Sequence, residues 1–423
     1  MNEQIKPQVT VVDSIMGSGK TTATIQMINR TDDDTHFLYI TPYLDEVKRV
    51  IDKCSHKRFK QPQNRNGSKM EDVRRLINKG ENIVSTHALF KNFNQETIEL
   101  AYINNYILIM DEVADVVDIY ADKITDGIEN RTITSADVKN ILDNYATVDP
   151  VTQLMVWTDD SYPDNGIFGD IKKLCKLESL TVYNDTLFLW LFPIKVFQAF
   201  KKVYILTYLF DSQIQKYYYD LFNIKYDKLA AKQHIGTGYK FIEYSEEKQN
   251  INNINYKELI NIVDNDKMNM IGEFEHTLSS NWYSKASKET LGKLKSNLNN
   301  FFRNICNSKS GQNIWTTFKD YKTALSGKGY TKGFVALNTR ATNIYRECNA
   351  VAYTVNRYVN PNIKFFFKSR DREVNEEEYA LSEMLQFIWR SAIRENKPIT
   401  IYVPSKRMRT LLENWIENMT KEL

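Results

Sequence analysis

Cysteine and proline are scarce in this chain, at 4 and 9 of 423 residues. The cysteines, Cys54, Cys175, Cys306 and Cys348, lie far apart. No pair has the short spacing of a metal-binding knuckle, and reduced thiols are expected rather than a disulfide framework. Long apolar runs are missing as well. The most apolar stretch, residues 186–196, is short and broken by Pro193 and Lys195, which excludes a membrane-spanning helix there. The opening Met1-Asn2-Glu3-Gln4-Ile5-Lys6 has no apolar signal core, so a cytoplasmic protein with no membrane partner is expected. An excess of one charge is also absent, with a net charge of +3 and a pI near 8.3. That balance does not by itself announce a nucleic-acid partner, although positive charge can be confined to one groove. Repeats, heptads and low-complexity tracts are not visible.

What is present is a core. Hydrophobic residues make up 42% of the chain, with 25 tyrosines and 21 phenylalanines, enough for two ordinary domains. The most informative stretch is Ser14-Ile15-Met16-Gly17-Ser18-Gly19-Lys20-Thr21-Thr22. It follows the β-branched run Val9-Thr10-Val11-Val12 and opens an apolar-periodic segment over residues 23–28. Strand, glycine loop and helix in that order form a phosphate cradle. Backbone N–H groups of Gly17, Ser18 and Gly19 point at one phosphate, and the helix start adds its dipole. Lys20 supplies a point charge, Thr21 a hydroxyl for Mg²⁺, and Thr22 continues the cradle. Ser14 stands where the usual pattern has glycine.

A second element of an ATPase site follows in Tyr106-Ile107-Leu108-Ile109-Met110-Asp111-Glu112-Val113. A continuous apolar run ending in two acids reads as a buried parallel strand with carboxylates at its C-terminal edge, where ligands of open α/β sheets bind. Asp111 is expected to hold Mg²⁺ through water and Glu112 to deprotonate the attacking water.

Strands are expected at residues 9–12, 36–40, 82–86, 107–110 and 202–208, alternating with helices such as 44–53. That alternation predicts an α/β protein with a parallel sheet. Residues 122–148 are expected to be helical, within an insertion at about 120–200. A second α/β unit is expected to open with a strand at 238–244 after a boundary near 236. It continues with a polar, loop-rich stretch at 246–267, a helix at 285–304, strands at 313–318, 333–337, 349–353 and 398–404, and a long amphipathic helix at 376–396. On that helix Gln386, Arg390 and Arg394 recur every four residues and share one face, suited to neutralising a γ-phosphoryl group.

Taken in order, these landmarks resemble a superfamily 2 helicase over nearly the whole chain. Residues 14–22 match motif I, 38–42 resemble motif Ia, and 85–90 resemble motif Ib. Asp111-Glu112-Val113-Ala114 is similar to the Asp-Glu-Ala-Asp or Asp-Glu-x-His box. Leu206-Thr207-Tyr208 sits at motif III without its usual Ser and Ala. Residues 335–346 sit at motif V without its glycine. Residues 386–394 resemble motif VI, with Trp389 in place of glycine and the last arginine one residue late. The pattern looks most like bacteriophage helicases akin to the herpesvirus origin-binding helicase group.

The resemblance implies two tandem RecA-like domains, 1–235 and 236–423, each a parallel sheet flanked by helices, with ATP and Mg²⁺ in the cleft between them. It implies that Lys20, Asp111, Glu112, Gln386, Arg390 and Arg394 serve hydrolysis. It further implies that Thr41, Thr86, His87, Arg340, Thr342 and Asn343 contact single-stranded or forked nucleic acid, with DNA and phage replication proteins as the expected partners inside an infected host. Two alternatives stay open: a replication initiator that uses ATP only as a switch, and a terminase-type packaging motor.

Overall fold

The computed structural model describes residues 8–42, 44–64, 67–120, 123–126, 129–234, 236–245, 248–337 and 344–423. Aliphatic, β-branched strands with both faces covered build the first sheet. Its order is Gly238–Glu243, Tyr226–His234, Gln8–Asp13, Lys202–Thr207, Ile107–Asp111, Phe37–Thr41, Asn82–Thr86, Phe59–Lys60. All neighbours are parallel except the Gly238–Glu243 edge. The register sets Asp13 beside Thr207, Leu206 beside Asp111 and Thr41 beside Thr86. The C-terminal ends of the central strands therefore share one edge.

Two expectations change here. The strand expected to open the second unit, at 238–244, is the antiparallel edge of the first sheet, paired with Tyr226–His234 from Leu229↔Glu243 to His234↔Gly238. A hairpin needs only a short turn, whereas a parallel partner in a new sheet needs a crossover. The expected helix at 122–148 resolves instead into a hairpin, Lys123–Asp126 with Glu129–Thr132, then a helix Ser135–Asn144 and a strand Ala146–Val148. Thr134 fixes that helix start through a reciprocal capping box with Asp137. These elements, with a three-stranded antiparallel sheet of Leu180–Tyr183, Leu187–Leu191 and Val117–Ile119, form an inserted unit with its own core.

The second sheet is four-stranded and wholly parallel, in the order Ile260–Ile262, Ile399–Tyr402, Ala350–Tyr353, Asn313–Thr316. Its first strand comes from the stretch expected to be loop-rich. The expected strand at 333–337 reduces to a single bridge between Phe334 and Trp315. The expected helix at 285–304 begins at Lys288 under a Ser287 cap, is α-helical to Asn300 and continues as a π-helical turn over Phe301–Ile305. The long helix expected over 376–396 spans Glu376–Ile388 only.

The two units interlock. Phe366 and Phe367, on the helix Pro361–Lys368, are buried in the first sheet's core. Ile15 and Tyr208 of the first unit are buried in the core of the second. Trp415, on the last helix Lys406–Lys421, donates its indole N–H to the Tyr208 hydroxyl at 3.0 Å.

Candidate active site

The strand Gln8–Asp13 runs into the glycine loop, and the helix Lys20–Asn29 leaves it. Gly19 takes φ +93°, a left-handed conformation that disfavours side chains, and so lets the loop turn into the helix. Ser14 does two jobs. Its N–H donates to the Thr207 carbonyl at 3.0 Å, and its hydroxyl accepts the Ala231 N–H at 2.8 Å. That tie to the neighbouring hairpin is a physical account of serine where the usual loop has glycine. The buried Lys20 ammonium donates to the carbonyls of Ser14 and, at 3.2 Å, Ile15. Burial lowers its pKa, while Glu112, Asp13 and Asp111 act to raise it.

Asp111 and Glu112 end the next-but-one strand. Burial, followed by the neighbouring Glu112 charge, pushes the Asp111 carboxyl up to about 7. Glu112 has φ +72°, a left-handed conformation that costs a non-glycine residue roughly 1–3 kcal/mol and is typical of functional sites. Its N–H is held by the Leu206 carbonyl at 2.9 Å. Its Oε2 is buried without a hydrogen-bond partner among the described residues, as is the Ser18 hydroxyl.

A cleft of about 710 Å³ joins these groups to the second unit. Gly17, Gly19, Lys20, Thr21, Thr22, Asp111 and Glu112 line it from one side, and Gln386, Arg390 and Arg394 from the other. The three motif VI residues thus converge, but not as one helix face. The helix ends at Ile388: the Arg390 and Ser391 N–H groups tighten onto the Phe387 and Ile388 carbonyls at 3.1 and 3.0 Å, and the Ala392 N–H then donates to the Cys348 carbonyl at 2.9 Å. Arg394 then sits on a short 3₁₀ turn, Ala392–Glu395. Arg390 is nearly buried, with its guanidinium 5.7 Å from the Phe387 ring centroid. Arg394 acts electrostatically on the Lys20 ammonium, and the Arg394 carbonyl lies 3.6 Å from where a Cβ on Gly17 would be.

Of the residues expected to meet nucleic acid, Thr41, Thr86 and His87 lie among the described residues, with Thr41 and Thr86 side by side at adjacent strand ends. Thr41 is fully buried, so its hydroxyl is withdrawn from any strand laid on the surface. Thr86 and His87 are half-buried at the start of the short helix His87–Phe90. The His87 Nε2 meets the Asp111 carbonyl oxygen at 2.9 Å, which links this segment to the acidic strand end. Arg340, Thr342 and Asn343 lie outside the described residues.

The cleft also holds side chains the sequence reading passed over. Glu46 and Arg49 pair at 3.1 Å on the helix Leu44–Lys53, and Arg49 donates to the Thr22 hydroxyl at 3.4 Å. The i,i+3 acid–base pair was visible, but its position over the loop depends on how the helix packs. Lys232, Tyr239, Asn252 and Asn253 line the other end. Among the described residues no cluster of three metal-ligating side chains occurs, and no helix is long and apolar enough to cross a membrane.

Two family patterns match the chain: the YonV middle domain over residues 128–190 and the YonV C-terminal Rossmann-like domain over 254–416. The first falls on the inserted unit and the second on the second sheet. The SPbeta prophage-derived uncharacterized protein YonV of Bacillus subtilis (strain 168) is 42% identical over 425 residues, covering 97% of this chain and 99% of that protein. A solved XPD structure, XPD_APO, superposes with a TM-score of 0.51 at 13% identity, over 97% of this chain and 95% of its own. Together with the two parallel sheets, that likeness gives the fold as two tandem RecA-like domains.

Proposed function

The chain belongs to the YonV family, and we propose that it is a nucleic-acid-dependent ATPase, a superfamily 2 helicase or translocase that acts on single-stranded or forked DNA. One observation carries this reading: a single cleft gathers the phosphate loop and the acids of the first unit with the arginines of the second. A site divided in this way is complete only when the two units close. Sequence motifs I and II and the XPD-like fold support the same reading, and a prophage relative supports a role in phage replication or recombination. The narrower kinship with origin-binding helicases rests on the motifs alone.

Mg²⁺ fits the residues present, since the buried Asp111 and the unpartnered Glu112 oxygen form a site of concentrated negative charge. Thr21 and Asp111 would hold it, and when bound it would neutralise charge on the β- and γ-phosphates. The chain's own groups supply the rest. The loop amides and Lys20 grip the phosphates. Glu112 takes the proton of the attacking water at its carboxylate. Arg390 and Arg394 stabilise the charge that develops on the transferred phosphoryl group. Closure and release would then step the two units along one strand.

The ties across the units favour a second reading, an ATP-operated switch with little unwinding. Besides the Tyr208–Trp415 bond, Gln213 meets Ser382. Steady-state ATPase assays with single-stranded DNA, duplex DNA and RNA as activators test the choice. Strong stimulation by single strands supports the motor, and slow turnover indifferent to them supports the switch.

A further inference from the structure

We propose that Tyr239 is the stacking platform for the nucleobase of the bound nucleotide, an inference that rests on reading the cleft as an ATP site. The sheet order fixes which end of the cleft receives which end of the ligand. Asp111 and Glu112 lie two strands to one side of the strand Gln8–Asp13, and the hairpin of Tyr226–His234 and Gly238–Glu243 lies immediately to the other. A nucleotide with its γ-phosphate at the acids and its β-phosphate on the loop must therefore extend its base toward the hairpin. Tyr239 stands on the second strand of that hairpin, four strand spacings or roughly 19 Å from the acidic strand, and its ring reaches back over the phosphate loop.

Among the described residues two aromatic side chains line the cleft, and Trp389 is buried against Tyr256 and Trp415, which leaves Tyr239, carried by the hairpin, as the one with an accessible ring. Its ring lies directly on the loop, since a Cβ on Gly19 would fall 2.0 Å from Tyr239 Cδ1. Its backbone N–H donates to Gln26 Oε1 at 3.0 Å, which clamps the edge strand to the helix that leaves the phosphate loop. The ring is half-buried and also lines the cleft, so it is held in place while one side remains open to a ligand. Polar side chains accompany it there: Lys232 and Gln233 from the hairpin, Asn252 and Asn253 from the segment that joins the two sheets. That segment is pinned by Asn250, whose buried amide donates to the carbonyls of Ile254 and Met419 at 2.9 and 2.8 Å. The base site is thus built from a fixed aromatic face and a strap shared by both units.

Calorimetric binding of MgATP and of inorganic tripolyphosphate to the full chain, its Tyr239→Ala variant and its Tyr239→Phe variant tests this. Loss of a base–aromatic stack should weaken MgATP about ten- to hundredfold in Tyr239→Ala. Tripolyphosphate, which has no base, should bind all three proteins alike, and Tyr239→Phe should restore MgATP affinity. Wild-type MgATP affinity in Tyr239→Ala would overturn the proposal. So would equal loss of both ligands, because the ring would then only prop the loop. If the wild-type chain binds tripolyphosphate and MgATP equally weakly, the ATP reading fails first and the proposal falls with it.

Discussion

Asp13 ends the first strand, with its carboxylate accepting the N–H groups of Leu209 and Phe210 at 2.8 and 2.9 Å. Burial nevertheless holds its pKa at about 6, above the ordinary 3.8. An acid whose folded pKa is raised favours the folded state while protonated. The cost of ionising it begins above about pH 4, the unfolded value, and is complete above about pH 6, on the order of 3 kcal/mol. In urea titrations the stability of Asp13→Asn relative to wild type should therefore rise over that window. A flat difference would mean that Asp13 titrates normally. At the cleft, Arg390→Ala and Arg394→Ala should each lower turnover about a hundredfold or more while leaving ATP affinity nearly unchanged, because a transition-state contact affects the rate constant. Arg390, nearly buried, should matter more than the partly exposed Arg394.

Among the elements, the central strands were legible because residues such as Ile107, Leu108, Ile109 and Met110 form a short, unbroken apolar run closed by two acids, the pattern of a strand covered on both faces. The strand Tyr226–His234 was not legible. Only Leu229-Ala230-Ala231 interrupts the polar residues Asp227, Lys228, Lys232 and Gln233, so no apolar alternation marks it, and its place beside Gln8–Asp13 depends on long-range pairing. The true end of the helix Glu376–Ile388 was hidden too, because no glycine or proline marks it. There the chain tightens at Arg390 and Ser391 and turns away to the tertiary bond from Ala392 to Cys348. Motifs I and II were readable as local strings, whereas Tyr239 reaches the loop only through the fold. In the inserted unit, Asp137 closes the capping box with Thr134 and accepts from Nη1 and Nη2 of Arg131 at 2.6 and 2.7 Å. Asp137→Ala should cost about 1–2 kcal/mol of stability by urea denaturation, and a neutral result would mean the cap is dispensable.

For the whole molecule, the account is of two RecA-like units whose shared cleft works only when closed. Contact with phosphates rather than base edges predicts that DNA binding weakens steeply with salt and shows little sequence preference. Binding that is insensitive to salt and selective for one duplex sequence would favour the initiator reading. The central claim is tested most directly by phosphate release at saturating MgATP, with and without single-stranded DNA, for wild type, Lys20→Ala, Glu112→Gln and Arg390→Ala. The account predicts single-strand-stimulated turnover in the wild type alone, with Glu112→Gln still binding ATP because the amide keeps the shape of the acid but cannot take a proton. Wild-type turnover in Lys20→Ala or in Arg390→Ala would contradict it.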